Sequence, residues 1–97
     1  MAAYLVATVT ITDPAPFAEY ARGIAGLAER FGGEAVVKGI VTDFVEGSGD
    51  PQERVVVTRF PDMASARGYL DSPEYGAAKA HREGAATATI RLIDAPA

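Results

Sequence analysis

The chain has 97 residues, 48% hydrophobic and 23% charged, which is one globular domain's worth of sequence and excludes both disorder and a second core. It has no cysteine and a formal net charge of −4 without a basic run, which excludes disulfides, thiolate metal sites, cysteine nucleophiles and a phosphate-neutralising nucleic-acid surface. No apolar run reaches the ~18–20 residues of a membrane-spanning helix. Met1-Ala2-Ala3-Tyr4 enters a strand with no basic n-region before it, so the expected location is the cytoplasm, with no membrane partner.

Residues 4–12 read YLVATVTIT, a strand with Leu5, Ala7, Val9 and Ile11 on one face and Tyr4, Val6, Thr8 and Thr10 on the other. Asp13-Pro14 starts a helix: the carboxylate is placed to cap an orphan N–H, and proline is tolerated at the first helical position. Phe17, Tyr20, Ala21, Ile24, Leu27, Ala28 and Phe31 then recur at helical spacing, and Gly32-Gly33 ends the helix. Residues 35–45 are rich in Val, Ile and Phe and predict a long strand kinked or bulged at Gly39, or two short ones. Residues 46–51, EGSGDP, are an exposed loop. Residues 54–60, RVVVTRF, form a strand whose nearly unbroken apolar run predicts burial on both faces.

Pro61-Asp62 opens the second helix, with Asp62 as N-cap and Met63, Ala66, Tyr69 and Leu70 as its apolar side. That helix breaks at Asp71 and restarts at Ser72-Pro73, Ser72 capping and Glu74 lying where the helix dipole favours negative charge. It stops at Gly84, residues 87–93 alternate as a last strand, and the tail from Asp94 to Ala97 is expected to fray. The order is βαββαβ, a single α+β domain over residues 1–97 with ferredoxin-like topology, a four-stranded antiparallel sheet and a second helix broken near Ser72. Helices cover one face of such a sheet, yet these strands are apolar at both parities: Leu5/Val6, Val36/Val37 and Val55/Val56, with Ile90 and Leu92 in the last strand. The uncovered face predicts a homodimer.

Asp13-Pro14 with Phe17 and Tyr20, then Phe31-Gly32-Gly33, Glu46-Gly47, Arg54 through Phe60-Pro61, and Ser72-Pro73-Glu74-Tyr75 with Arg82 stand in an ordered series. That series resembles the domain-of-unknown-function family 1330, small bacterial proteins of the dimeric α+β barrel superfamily, over essentially the whole chain. The resemblance implies the fold and a dimer with two sheets face to face; it implies no activity. One departure is Lys38-Gly39-Ile40, where the family commonly has an Arg-Gly-Gly turn.

Candidate chemistry is sparse. His81 is the only histidine and the natural acid/base group, with Ala77, Ala78 and Gly84 as small neighbours. Its plain alternative is a half-exposed residue near a helix C-terminus, where positive charge is favoured. Arg82 and Arg54 offer guanidinium forks for a carboxylate or enolate, or else pair with Glu53, Glu74 or Glu83. Tyr75 and Tyr20, among the eight tyrosines and phenylalanines, are the ring-bearing candidates for lining a ligand site, though aromatics at helical spacing also make core. One histidine and scattered carboxylates give no metal spacing, the glycines give no nucleotide fingerprint, and no cofactor is expected. The leading expectation is a dimeric small-molecule binder with its pocket between the sheet and the second helix. One alternative is a cofactor-free monooxygenase or isomerase of a small aromatic or enolisable substrate, with His81 moving the proton and Arg82 holding the oxyanion. The other is a structural or regulatory dimer without a pocket.

Overall fold

Period-two alternation in the first strand decides which way the sheet faces. In the computed structural model, which describes residues 1–96, β1 (Ala2–Ile11) buries Ala3, Leu5, Ala7 and Val9 and leaves Tyr4, Val6, Thr8 and Thr10 half-buried on the opposite face. β1 lies between β3 (Arg54–Phe60) and β4 (Ala86–Ala95), and β2 (Glu34–Ile40) flanks β3, in the antiparallel order β2-β3-β1-β4. This is the ferredoxin-like sheet that βαββαβ chain order requires. Three helices, α1 (Pro14–Ile24), α2 (Met63–Asp71) and α3 (Pro73–Arg82), supply Tyr20, Ala66, Tyr69, Tyr75 and Ala78 to one core with Leu5, Ala7 and Val9. No helix among the described residues is long and apolar enough to cross a membrane.

The second helix breaks where its capping residues place the break. Asp62 accepts from the Ser65 N–H at 2.8 Å, and that bond holds its carboxyl below the usual value. Ser72 is buried and extended; its Oγ accepts from the Tyr75 N–H at 3.2 Å and donates to the Tyr69 carbonyl at 2.8 Å. One hydroxyl therefore starts α3 and ties off α2.

Several local expectations are corrected. Asp13 occupies the N-cap position with extended backbone, but its side chain makes no cap bond. The N–H such a cap would reach at the third helical position is missing, because that residue is Pro16. The first helix does not run to Phe31: α1 ends at Ile24, Gly26 takes φ +74, and the chain resumes as a 3₁₀ turn, Ala28–Phe31, closed by Gly32 at φ +82. Leu27 is buried all the same, whereas Ala21, expected on the same stripe, is exposed. The strand expected over residues 35–45 ends at Ile40, and its bulge falls between Ala35 and Val37 rather than at Gly39. Residues 41–53 form a loop closed by the Val41 N–H on the Glu53 carbonyl at 2.8 Å. In the single chain Val55, Val56 and Val57 are only half-buried. β4 continues through Asp94 to Ala95, into the tail expected to fray; Ala97 lies outside the described residues.

Candidate functional site

The site begins with a glycine. A Cβ on Gly23 of α1 would lie 2.8 Å from the Ala78 Cβ of α3, so the two helices meet at a distance only glycine permits. One turn back from each contact residue stand Tyr20 and Tyr75, whose rings meet edge-on at 6.5 Å. Arg82, two turns beyond Tyr75, donates from Nη1 to both hydroxyl oxygens, 3.2 Å to each. Its guanidinium carbon also lies 5.0 Å from the Tyr20 ring centroid. Tyr69 packs against Tyr75 at 5.1 Å and against the fully buried Phe60 at 5.6 Å, anchoring the cluster in the core.

The electrostatics follow from that packing. Burial, and then the neighbouring Tyr75, push the Tyr20 phenol up to about 12, and burial likewise raises Tyr69. Burial works against the Arg82 charge, but the Tyr75 hydroxyl and then Tyr20 outweigh it, so its pKa rises. Arg82 is a fixed cation. A phenol that accepts from the guanidinium keeps its own O–H. Even where one hydroxyl donates to the other, one phenolic proton remains for a further acceptor.

Beside this cluster a cleft of about 500 Å³ opens between α2, α3 and β4. Ile90 and Leu92 form its floor, on the face of β4 that carries Ala7 and Leu5 in β1. Leu70 and Tyr75 wall it, and Arg67, Lys79 and Arg82 bring positive charge. Among the described residues no carboxylate lines it. Glu74, named among the possible Arg82 mates, is held by Arg30 at 3.4 Å, and another ion pair joins Arg22 to Glu19. Among the described residues Arg82 has hydroxyl partners and no carboxylate one.

Of the residues singled out in the sequence, Arg82, Tyr75 and Tyr20 come together, with Tyr20 standing behind the other two. His81 does not join them. Adjacent helical residues point about 100° apart, and His81 is exposed in a different groove, of about 470 Å³, with Glu19, Arg22, Gly23, Glu74, Ala77 and Ala78. Arg54 is exposed at the start of β3, opposite Val9 and Ile40, and lines neither groove. Arg67, Leu70, Lys79, Ile90 and Leu92 complete the cleft without having been singled out as site residues. Lys79 was signalled by spacing: Tyr75, Lys79 and Arg82 stand at i, i+4 and i+7, one face of α3.

No curated protein matches the sequence. Among solved structures, a protein of unknown function from Rhodopseudomonas palustris, RPA0582, is similar at 21% identity and TM-score 0.78, over 99% of this chain and 83% of that one. SnoaB, a cofactor-independent oxygenase from Streptomyces nogalater, is similar at 18% identity and TM-score 0.61, over 99% and 94%. A dimeric ferredoxin-like protein of unknown function from Thermobifida fusca is similar at 18% identity and TM-score 0.58, over 96% and 92%. At these identities the likeness is one of fold. The family described as Domain of unknown function (DUF1330) matches residues 2–96, and the chain belongs to it.

Proposed function

We propose that the protein binds a small organic acid with an apolar body in the cleft between the sheet and the broken second helix. The observation that carries this is Arg82: a half-buried guanidinium, at a cleft with an apolar floor, whose protein partners are neutral hydroxyls. The hydroxyls hold the Arg82 charge but carry none to neutralise it, and an incoming carboxylate supplies that counter-charge. Only Nη1 is engaged by protein acceptors among the described residues, so the rest of the guanidinium fork can receive two carboxylate oxygens. The cleft volume lies in the ~300–1,000 Å³ range of small-molecule pockets. Loss of aryl-carboxylate binding on Arg82→Gln, with binding kept in His81→Ala, tests the reading.

A second reading is a cofactor-free oxygenase or isomerase, and the same cluster favours it: a guanidinium and a phenolic O–H around one point can hold a developing oxyanion. SnoaB, which shares the fold, is a cofactor-independent oxygenase. Proton abstraction needs a base, and among the described residues the polar groups lining the cleft are Arg, Lys and Tyr, without histidine or carboxylate. His81 serves that role only for a substrate reaching the other groove. Binding is the better-supported reading.

The binder works as a homodimer in the cytoplasm. Val37, Val57 and Val6 align across three strands on the face away from the helices, with Tyr4, Val55 and Ile93 around them. Ile93 and Val37 are 46% and 49% exposed in the single chain, an apolar patch with Arg59 and Arg91 on the same face, suited to a second copy. The Thermobifida fusca protein of the same fold is described as dimeric. Sedimentation at micromolar concentration gives twice 10.1 kDa on this reading, and a single 10.1 kDa species contradicts it.

A further inference from the structure

The cleft holds more positive charge than one carboxylate needs. Arg67 from α2 and Lys79 and Arg82 from α3 all line it, in a chain whose formal net charge is −4. Arg82 sits at the inner end among the tyrosines, whereas Arg67 and Lys79 are exposed. The ion pairs found among the described residues involve neither Arg67 nor Lys79. Lys79 and Arg82 are three residues apart, about 4.5 Å along the helix axis, and their long side chains leave that axis on one face of α3. Three cations around a single cleft repel one another, and a ligand with one negative charge relieves only part of that repulsion.

We propose that the ligand is an organic dicarboxylate. Its apolar body rests on Leu70, Ile90 and Leu92, one carboxylate meets Arg82 and the Tyr75 hydroxyl, and the second lies between Arg67 and Lys79. This deepens, and rests on, the reading of the cleft as an acid-binding site. Arg67 and Lys79 are specificity-determining residues: they select the second acid group and leave the inner contact untouched.

Calorimetric titration of matched pairs tests it: benzoate against isophthalate, and naphthoate against naphthalenedicarboxylate. The proteins are wild type, the Arg67→Gln/Lys79→Gln double variant and Arg82→Gln, each checked for folding by circular dichroism. Both mouth residues are exposed, so the double variant keeps its core. Exposed charge pairs are individually weak, and two together give the dicarboxylate roughly a tenfold advantage in wild type, about 1.4 kcal/mol. That advantage disappears in the double variant, where the two members of each pair bind alike, and it shrinks with added salt. Equal binding of both members of each pair to wild type, lost in Arg82→Gln, overturns this inference and leaves the acid-binding site standing. An advantage that survives in the double variant also overturns it, because the second acid then lies elsewhere. Absence of binding by every acid to wild type overturns the acid-binding reading and this inference with it.

Discussion

Arg82 and His81 are neighbours in the chain, yet only one of them reaches the cleft. By side-chain chemistry His81 is the attractive residue, since imidazole titrates near neutrality. Helical geometry decides otherwise, turning it about 100° away from Arg82 and out into an exposed groove. The partners of Arg82 could not be read from spacing alone. Tyr75 lies seven residues before it and was within reach of helical periodicity, whereas Tyr20 lies 62 residues away and arrives only through tertiary packing. The raised Tyr20 value gives a test at this scale. Its folded-state pKa is about 12 against an ordinary 10.0, so the proton is held more tightly in the fold than in the unfolded chain. The associated stability is complete below pH 10 and is lost as pH rises toward about 12. Urea midpoints should show the advantage of wild type over Tyr20→Phe shrinking across that window. A difference that stays constant there would count against a buried, neutral Tyr20.

Among the elements, those with strong local signals were legible. The break at Ser72 follows from an N-cap serine ahead of Pro73, and the hydroxyl bridges the two helices as that signal implies. The end of α1 was less legible, because its apolar stripe continues to Phe31 while Gly26 turns the backbone left-handed midway. The strand after Gly33 was over-extended for a similar reason: residues 41–45 include Val41, Phe44 and Val45 but pair in no strand, and Val45 is 88% exposed. Gly23 shows how an element boundary becomes a site. Two glycine-to-alanine changes separate packing from propensity. Gly76 in α3 has open space around it, so Gly76→Ala should raise stability by about 0.5–1 kcal/mol. Gly23→Ala gains about the same in propensity but drives a Cβ into Ala78, an overpacking cost of about 1–3 kcal/mol. Thermal unfolding should therefore move up for Gly76→Ala and down for Gly23→Ala, by several degrees per kcal/mol in a domain of this size. A stabilised Gly23→Ala would mean that α1 and α3 can part without cost.

At the scale of the whole molecule, the βαββαβ order and the two-faced apolar strands were readable because each rests on a period of two or 3.6 residues. The cleft was not, because it is assembled from three elements: Arg67 and Leu70 on α2, Tyr75, Lys79 and Arg82 on α3, Ile90 and Leu92 on β4. A cleft does lie between the sheet and the second helix; of the charges lining it, Arg82 had been singled out, whereas Arg67 and Lys79 looked like ordinary surface. On one sheet face Val6, Val37, Val57 and Ile93 form an apolar patch beside Arg59 and Arg91, and the other face, under the helices, holds a cationic cleft on an aromatic foundation. The central claim is that Arg82 in this cleft receives a carboxylate, and a thermal-shift series of wild type, Arg82→Gln and His81→Ala against aryl carboxylates tests it most directly. At a hundred times its dissociation constant a ligand adds about 2.7 kcal/mol, a shift of many degrees for a domain of this size. The account predicts that shift in wild type and His81→Ala and its loss in Arg82→Gln; a shift kept in Arg82→Gln and lost in His81→Ala would move the site to the opposite groove and contradict it.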